Sequence, residues 1–345
     1  MSTFLCCLSL FSLLPLAAQQ PRVANAKVET RSASAGLEKE FRALAGSLEG
    51  PAWIGYAVPM IAGQHQMCCS SSGHPCLCAL EAKKGDSQSL HSGPVRLESP
   101  GQLLVLFRVQ QKSTGKIRTF SEDCELDAGG LPFYWLREVR SSESLALLAS
   151  FVSGAEDRLR DSALAAIAFH GDPAADRWLE QFVAAGQPDA IRERTAFWLG
   201  AARGKRGYEL LRRMLRDDPS ERVRDRAVFA LSISKEPAAV DALIEAARHD
   251  KSSHLRGQAL FWLAQKAGQK AASAIKDAIE NDPETEVKKR AVFALSQLRK
   301  EESVPLLIQV ARSNRNPAVR KQAIFWLGQS KDPRAVEFFE EILKH

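Results

Sequence analysis

The side chains best suited to chemistry in this sequence are cysteines and histidines gathered in one short segment. They follow the spacing H-x2-C-C-x4-H-x-C-x-C, at His65, Cys68, Cys69, His74, Cys76 and Cys78. Such a set could bind zinc, form disulfides or act as a redox centre. The spacing matches no common zinc module, and adjacent cysteines rarely both bind one metal, so we expect no metal site. No helix N-terminus is evident beside Cys76 and Cys78 to favour a thiolate, which argues against redox chemistry.

The compartment decides between thiols and disulfides. Residues 4–16 form a short apolar run, followed by Ala17 and Ala18, although no Lys or Arg precedes the run. Its length suits a signal peptide over residues 1–18 and is too short to span a bilayer. We therefore expect a secreted or periplasmic protein, in which disulfides are the default. Two disulfides and one remaining thiol are expected among five cysteines: Cys68, Cys69, Cys76, Cys78 and Cys124.

Other catalytic signatures are missing from the sequence. It contains no Gly-rich phosphate loop, no G-x-S-x-G elbow and no H-E-x-x-H motif. No His is followed by Glu, the pair that a di-iron enzyme built on helical repeats would need. We therefore predict that the protein is not an enzyme and needs no cofactor. The net charge of +6 permits anionic partners without specifying one.

The elements that would position the cysteines read as a small β-rich domain. Residues 52–58, 102–110 and 116–121 are apolar runs typical of strands, separated by Gly, Ser and Pro. Residues 35–47 predict an amphipathic helix through Leu37, Phe41 and Leu44. The sequence thus predicts an N-terminal segment (19–50) with one helix, then a β-rich, cysteine-containing domain (51–138).

A 32-residue period dominates the rest of the chain. Aromatic residues recur in one row, at Phe197, Phe229, Phe261, Phe293 and Phe325. Apolar and basic rows recur in the same phase, with apolar residues at three- and four-residue steps. Each repeat therefore reads as two short amphipathic helices that must stack on their neighbours to bury a core. We predict an all-α solenoid over residues 139–345, with six helix pairs and a last helix at 333–344.

A second, 64-residue period overlies the first. Trp198, Trp262 and Trp326 alternate with Ala230 and Ala294, and the segment RAVFALS occurs identically at 226–232 and 290–296. The array therefore reads as copies of a two-repeat unit. The Trp row lies at the edge of the apolar face on a helical wheel, so we interpret it mainly as core packing.

The turn between the two helices carries a family signature. Three repeats show an acid six residues before a base, with V-R-x-x-A after the turn: Asp218 and Arg224, Asp250 and Arg256, Asp282 and Lys288. This pattern, over residues 142–345, resembles HEAT repeats of the phycobilisome-lyase-like subtype, here in what the export signal suggests is a secreted bacterial member. The resemblance implies that turn acid and helix base form a structural ladder between stacked repeats.

The Phe row is the candidate binding site. On a helical wheel Phe229 lies opposite the apolar cluster of Val223, Ala227 and Leu231, on the polar side of its helix. Five such rings on neighbouring helices would form an exposed apolar stripe, assisted by Arg226 and Arg290. The alternative is that the rings stack on one another and on the Arg stems as a tight inner face without a ligand.

These observations favour a non-enzymatic scaffold that binds a protein or peptide along the concave face of the solenoid. Two alternatives remain open: a lyase-like or other enzyme-associated HEAT protein, or a binder of an anionic polymer through the basic C-terminal half. Export argues against nucleic acid as the partner.

Overall fold

The computed structural model describes residues 21–63, 77–81, 101–154, 156–267 and 269–344. Contacts divide the chain into two compact units. One comprises the described residues up to Leu147 together with His170–Asp172, and the other comprises Leu148–Phe169 and the residues from Pro173 onward. The segment predicted as a signal peptide, residues 1–18, lies outside the described residues and stays a prediction.

Among its described residues, the first unit contains eight strands and one complete helix. These are β1 Val23–Ala24, β2 Val28–Ser32, α1 Leu37–Ser47, β3 Ala52–Pro59, β4 Leu77–Ala79, β5 Gln102–Gln110, β6 Ser113–Ser121, β7 Glu125–Asp127 and β8 Phe133–Arg137. A five-stranded sheet has the order β2-β8-β3-β5-β6, and a three-stranded sheet has the order β1-β7-β4. Strands β3, β5 and β6 pair antiparallel, whereas β8 runs parallel to both β2 and β3.

Strands β3 and β5 form the buried centre of this unit. Residues 52–58 and 103–107 are all buried, because these strands lie inside the five-stranded sheet and read as continuous apolar runs. Helix α1 occupies the segment predicted as a helix and buries Leu37, Phe41 and Leu44. The two short strands before residue 51, β1 and β2, were not predicted, since neither has an alternating apolar pattern.

The remaining helices follow the 32-residue period. They are α2 Ser141–Ser153, α3 Asp157–Phe169, α4 Ala174–Phe182, α5 Asp189–Ala202, α6 Gly204–Asp217, α7 Glu221–Ile233, α8 Ala239–His249, α9 Ser253–Ala267, α10 Gln269–Asn281, α11 Thr285–Ser296, α12 Lys300–Ser313, α13 Pro317–Ser330 and α14 Pro333–Leu343. Within the described residues, the predicted six pairs and last helix are confirmed. The second helices of the pairs, α3, α5, α7, α9, α11 and α13, pack side by side in that order.

The apolar rows explain this stacking. Leu211, Leu243, Ile275 and Leu307 of the first helices are all buried, as are Val223, Leu255, Val287 and Val319 of the second helices. Each helix alone leaves an apolar face uncovered, so adjacent repeats share a continuous core. No helix within the described parts of the chain is long and apolar enough to cross a membrane.

Candidate functional site

The five Phe of the predicted row lie on consecutive second helices and point away from the buried core. Phe197, Phe229, Phe261 and Phe293 are half-buried, and Phe325 is 52% exposed. On α7 the opposite face is fully buried at Val223, Ala227 and Leu231. The helical wheel therefore placed the rings on the correct side of their helices.

The rings also pack on one another, in two stacked pairs. Phe197 and Phe229 have centroids 6.3 Å apart with planes at 12°. Phe261 and Phe293 repeat the arrangement at 5.9 Å and 7°. Each stack joins the two second helices of one 64-residue unit, α5 to α7 or α9 to α11. The rings are therefore partly self-packed and partly open to solvent.

The tryptophans connect these stacks. The ring centroid of Trp262 lies 5.0 Å from that of Phe229 on the preceding second helix. It lies 4.9 Å from the ring centroid of Phe261 on its own helix. Trp326 makes the same two contacts with Phe293 and Phe325, at 4.9 and 5.0 Å. Both indoles are half-buried. The Trp row therefore belongs to one aromatic ladder with the Phe row, whereas the sequence had suggested that it served mainly the core.

A groove opens beside the second stack, between α9 and α11. Its volume is about 310 Å³, and six residues line it: His254, Gly257, Gln258, Phe261, Arg290 and Phe293. Gly257 leaves room for the Arg290 stem, because a Cβ at Gly257 would lie only 2.4 Å from the Arg290 Cδ. Two of the lining side chains are aromatic, and Arg290 contributes a guanidinium.

Hydrogen bonds hold that guanidinium to α9. Arg290 Nη1 donates to His254 Nδ1 at 3.1 Å and to the His254 carbonyl oxygen at 3.2 Å. Since Nδ1 accepts, the neutral imidazole carries its proton on Nε2, which lies 3.7 Å from an Asp225 carboxylate oxygen. Within the part of the chain that the structure describes, Arg290 has no carboxylate partner.

The matching position in the preceding two-repeat unit is built differently. Arg226 belongs to the identical RAVFALS segment, yet its guanidinium lies over the Phe229 ring, 5.8 Å from the centroid. Glu193 stands where the second unit has Gly257, and its carboxylate pairs with Arg222 at 2.9 Å. The two Phe stacks are alike, but the charges around them are not.

The acid and base residues of the turn lie between successive repeats. Arg192 binds Asp218 through two hydrogen bonds of 2.9 and 3.0 Å, and Arg256 binds Asp282 at 2.7 and 3.0 Å. Both pairs are buried. The hydrogen bond from Arg256 to Asp282 raises the pKa of Arg256 above its ordinary value, against the opposing effect of burial.

The other rungs of this ladder are weaker or missing. Arg224 Nε lies 3.7 Å from Asp250, which is too far for a hydrogen bond. In the repeat after Lys288, Asn314 occupies the position where the other bases find an acid. The Nζ of Lys288 instead donates to the Glu280 carbonyl oxygen at 2.7 Å. Arg224 and Arg256 each also donate to the carbonyl oxygen six residues earlier, at Asp218 and Asp250, which ties the turn to its own helix.

The structure describes only two of the five cysteines that were predicted to form disulfides. Cys78 and Cys124 are fully buried in one apolar cluster of the first unit, and the Cys124 sulfur lies 3.3 Å from the Ser121 hydroxyl. Cys68, Cys69, Cys76 and both histidines of the motif lie outside the described residues, so the two disulfides stay a prediction. The described residues contain no group of three or more His, Cys, Asp or Glu that could hold a metal ion.

Sequence reasoning did not identify His254, Gly257 and Gln258 as site residues. One signal was present, since Gly257 interrupts a row of charged residues: Glu193, Asp225, Lys289 and Lys321. A glycine in a row of charged residues indicates that a neighbouring group occupies the space of the missing side chain. At Gly257 that group is the stem of Arg290.

The helix pairs and the turn ladder define a class of fold. Residues 177–264 and 272–345 match the family model described as HEAT repeats. The C-terminal part of the chain is a HEAT-type α-solenoid, and a small β-rich region precedes it.

Particular proteins resemble the chain only distantly. No curated protein matches it. Similar solved structures include human deoxyhypusine hydroxylase in complex with glycerol, 17% identical over 58% of this chain and 90% of that chain, with a TM-score of 0.32. The complex of CpcE and CpcF of phycocyanin lyase from Nostoc sp. PCC7120 is 19% identical over 58% and 80%, with a TM-score of 0.30. Yeast importin-beta is 15% identical over 59% and 32%, with a TM-score of 0.36. Likenesses at this level carry no inference about activity.

Proposed function

We propose that this chain is a non-enzymatic interaction scaffold that binds an extended segment of a partner protein along its second helices. The observation that carries the proposal is the aromatic ladder, whose half-exposed rings border the groove between α9 and α11. HEAT solenoids bind protein partners, and contiguous exposed apolar surface usually marks a contact site.

Self-packing of the rings is compatible with this role. Because Phe261 and Phe293 already hold each other in place, a partner would not have to immobilise them on binding. Aromatic and Arg side chains also contribute most of the binding energy at protein interfaces. The ladder therefore offers rigid, partly exposed anchors of the favourable residue types.

The aromatic ladder and the groove favour the scaffold over the lyase-like or enzyme-associated alternative. The aromatic ladder presents no nucleophile paired with a base, and the groove holds one imidazole between Asp225 and Arg290, with the proton-accepting nitrogen occupied by the arginine. Secretion remains part of the proposal, supported by the apolar run at residues 4–16.

Replacing Phe261 by Leu tests the proposal, because leucine keeps most of the apolar volume and removes the ring. We expect the free energy of unfolding to fall by about 1 kcal/mol, the contribution of an aromatic pair. Affinity for peptides selected from a random displayed library should fall by about 2 kcal/mol or more, as for a central aromatic anchor. Thermal unfolding and fluorescence anisotropy measure the two effects.

Val336→Ala provides the control, since Val336 is an exposed apolar residue of α14 outside the ladder. It should leave peptide affinity unchanged. A library that yields no binders, or binders that hold Phe261→Leu as tightly as the wild type, would show that the rings serve only the structure of the solenoid.

A further inference from the structure

We propose that the groove between α9 and α11 is a subsite for an acidic residue of the partner peptide. Arg290 binds the side-chain carboxylate, and a neighbouring apolar side chain of the peptide lies against Phe261 and Phe293. This inference rests on the proposed function and adds the chemistry of the bound segment to it.

The first argument is that Arg290 is held in position. Its stem lies against α9 at Gly257, the one position of the charged row without a side chain, and its guanidinium donates twice to His254. An arginine fixed in this way loses less conformational entropy on binding than one that moves freely in solvent. The remaining N–H groups of its planar fork suit the two oxygens of a carboxylate.

The second argument is the missing counter-charge. Buried arginines of the solenoid, such as Arg192, Arg203 and Arg256, each have a carboxylate partner. Arg290, which is exposed, has none among the described residues and lines a groove together with Phe261 and Phe293. A positive group held at the edge of an apolar groove is complementary to an anion attached to an apolar segment.

The surrounding charges favour one side of the groove. Asp225 lies beyond the imidazole of His254 and places negative charge on the α7 side. Lys321 takes on α13 the position that Gly257 takes on α9, and it is exposed. A partner carboxylate therefore meets less repulsion on the side toward α11 and α13.

A peptide fits this surface better than an anionic polymer. Glu193 and Asp225 occupy the same row on α5 and α7, so a polyanion lying along the second helices would run past two carboxylates. A single acidic residue in an otherwise apolar segment avoids this repulsion and uses the stacked rings.

Three peptide libraries test the inference, alike except for a fixed central residue flanked by aromatic residues. That residue is aspartate in one library, asparagine in the second and lysine in the third. Inorganic polyphosphate and single-stranded DNA serve as polyanion probes. We expect the wild type to prefer the aspartate library by about tenfold over the asparagine library, the range of a charge-assisted hydrogen bond.

Two variants separate a local site from general attraction. Arg290→Gln should abolish the tenfold preference. Gly257→Ala keeps every charge but forces Arg290 to move, so it should reduce the preference too. Arg216→Gln is the control for lost charge, because Arg216 is an exposed residue of α6 paired with Asp217, and it should keep the preference.

The outcomes are distinguishable. Equal binding of all three libraries, with affinity still lost in Phe261→Leu, would overturn the acidic subsite and leave the scaffold proposal standing. No binding of any library would remove both. Tighter binding of polyphosphate or DNA that also depends on Arg290 would assign the groove to a polyanion and contradict the peptide subsite.

Discussion

Arg192 and Asp218 illustrate how single residues tie one repeat to the next. Both are almost completely buried, and two parallel hydrogen bonds join them across neighbouring helix pairs. Asp218 also accepts from the backbone N–H of Ser220 at 2.9 Å, so one carboxylate fixes both the contact between repeats and its own turn. Removing this carboxylate would leave the buried guanidinium of Arg192 with Asp189 as its remaining carboxylate partner, together with backbone carbonyl oxygens.

We expect Asp218→Ala to lower the free energy of unfolding by about 3 kcal/mol, the low end of the range for breaking a buried ion pair, because Asp189 remains as a carboxylate partner of Arg192. Asp250→Ala is the matched comparison at the next turn, where Arg224 lies 3.7 Å away without a hydrogen bond. Its effect should be smaller, at about 1–3 kcal/mol. Urea unfolding of both variants gives the comparison, and equal losses would show that hydrogen-bond geometry does not distinguish the two rungs.

The sequence predicted the partners of this ladder better than their strengths. The acid and base rows pointed to contacts between repeats, but both rows look the same at every turn from Asp218 to Asp282. Whether a pair closes to 2.7 Å or stays at 3.7 Å depends on the spacing of adjacent helices, which a residue pattern does not contain.

At the scale of elements, the last helix begins with an electrostatic cap. Asp332 accepts from the backbone N–H of Arg334 at 3.0 Å and pairs with the guanidinium of the same residue at 2.8 Å. The side-chain hydrogen bond from Arg334 lowers the pKa of Asp332 from 3.8 to about 2, against the opposing effect of burial. The cap is therefore formed by the charged carboxylate.

This cap predicts a pH dependence. Because the folded-state pKa is lowered, the charge of Asp332 stabilises the fold above pH 3.8, and this contribution is lost as the pH falls toward about 2. Asp332→Asn keeps a capping oxygen but not the charge. The variant should melt below the wild type near neutral pH, and the difference should disappear between pH 3.8 and about 2. A difference that is constant over this range would exclude the ionised cap.

The second helices show where a pattern on one element stops being informative. The wheel of α7 placed Phe229 away from the core, which is correct. The wheel could not predict that Phe229 contacts Phe197 and Trp262, because contacts between helices depend on how neighbouring helices are offset and rotated. The stacks, which the sequence offered only as one alternative, the indole links and the groove at Gly257 all arise between helices.

The chain combines a repetitive solenoid with a non-repetitive first unit, and the sequence predicted the solenoid more completely. The solenoid repeats itself, so each row confirms the others and its helix bounds follow from the period. The first unit has no repeats, and its β1 and β2 are short strands whose partners, β7 and β8, lie far along the chain. Pairing over such distances is fixed by the complete sheet, which local patterns do not specify.

The alternation of Trp and Ala along the second helices has a consequence for how this array tolerates changes in length. At Gly200 on α5, a Cβ would lie 2.3 Å from the Ala230 carbonyl oxygen, so α5 and α7 approach closely where α7 has Ala in the Trp row. Removing residues 225–256, one repeat, would set Trp262 against this position and place two Trp-bearing helices side by side. Overpacking of this kind typically costs about 1–3 kcal/mol.

Removing residues 193–256, two repeats, would instead join Arg192 to Gly257 and bring its guanidinium into phase with Asp282. The stack of Phe261 on Phe293 would remain intact. We therefore expect the shorter protein to melt higher than the variant that lost only one repeat, as followed by circular dichroism. If the single-repeat deletion proves the more stable, the alternation of Trp and Ala does not govern how the second helices pack. Otherwise this solenoid can be extended or trimmed without mismatch only in steps of 64 residues.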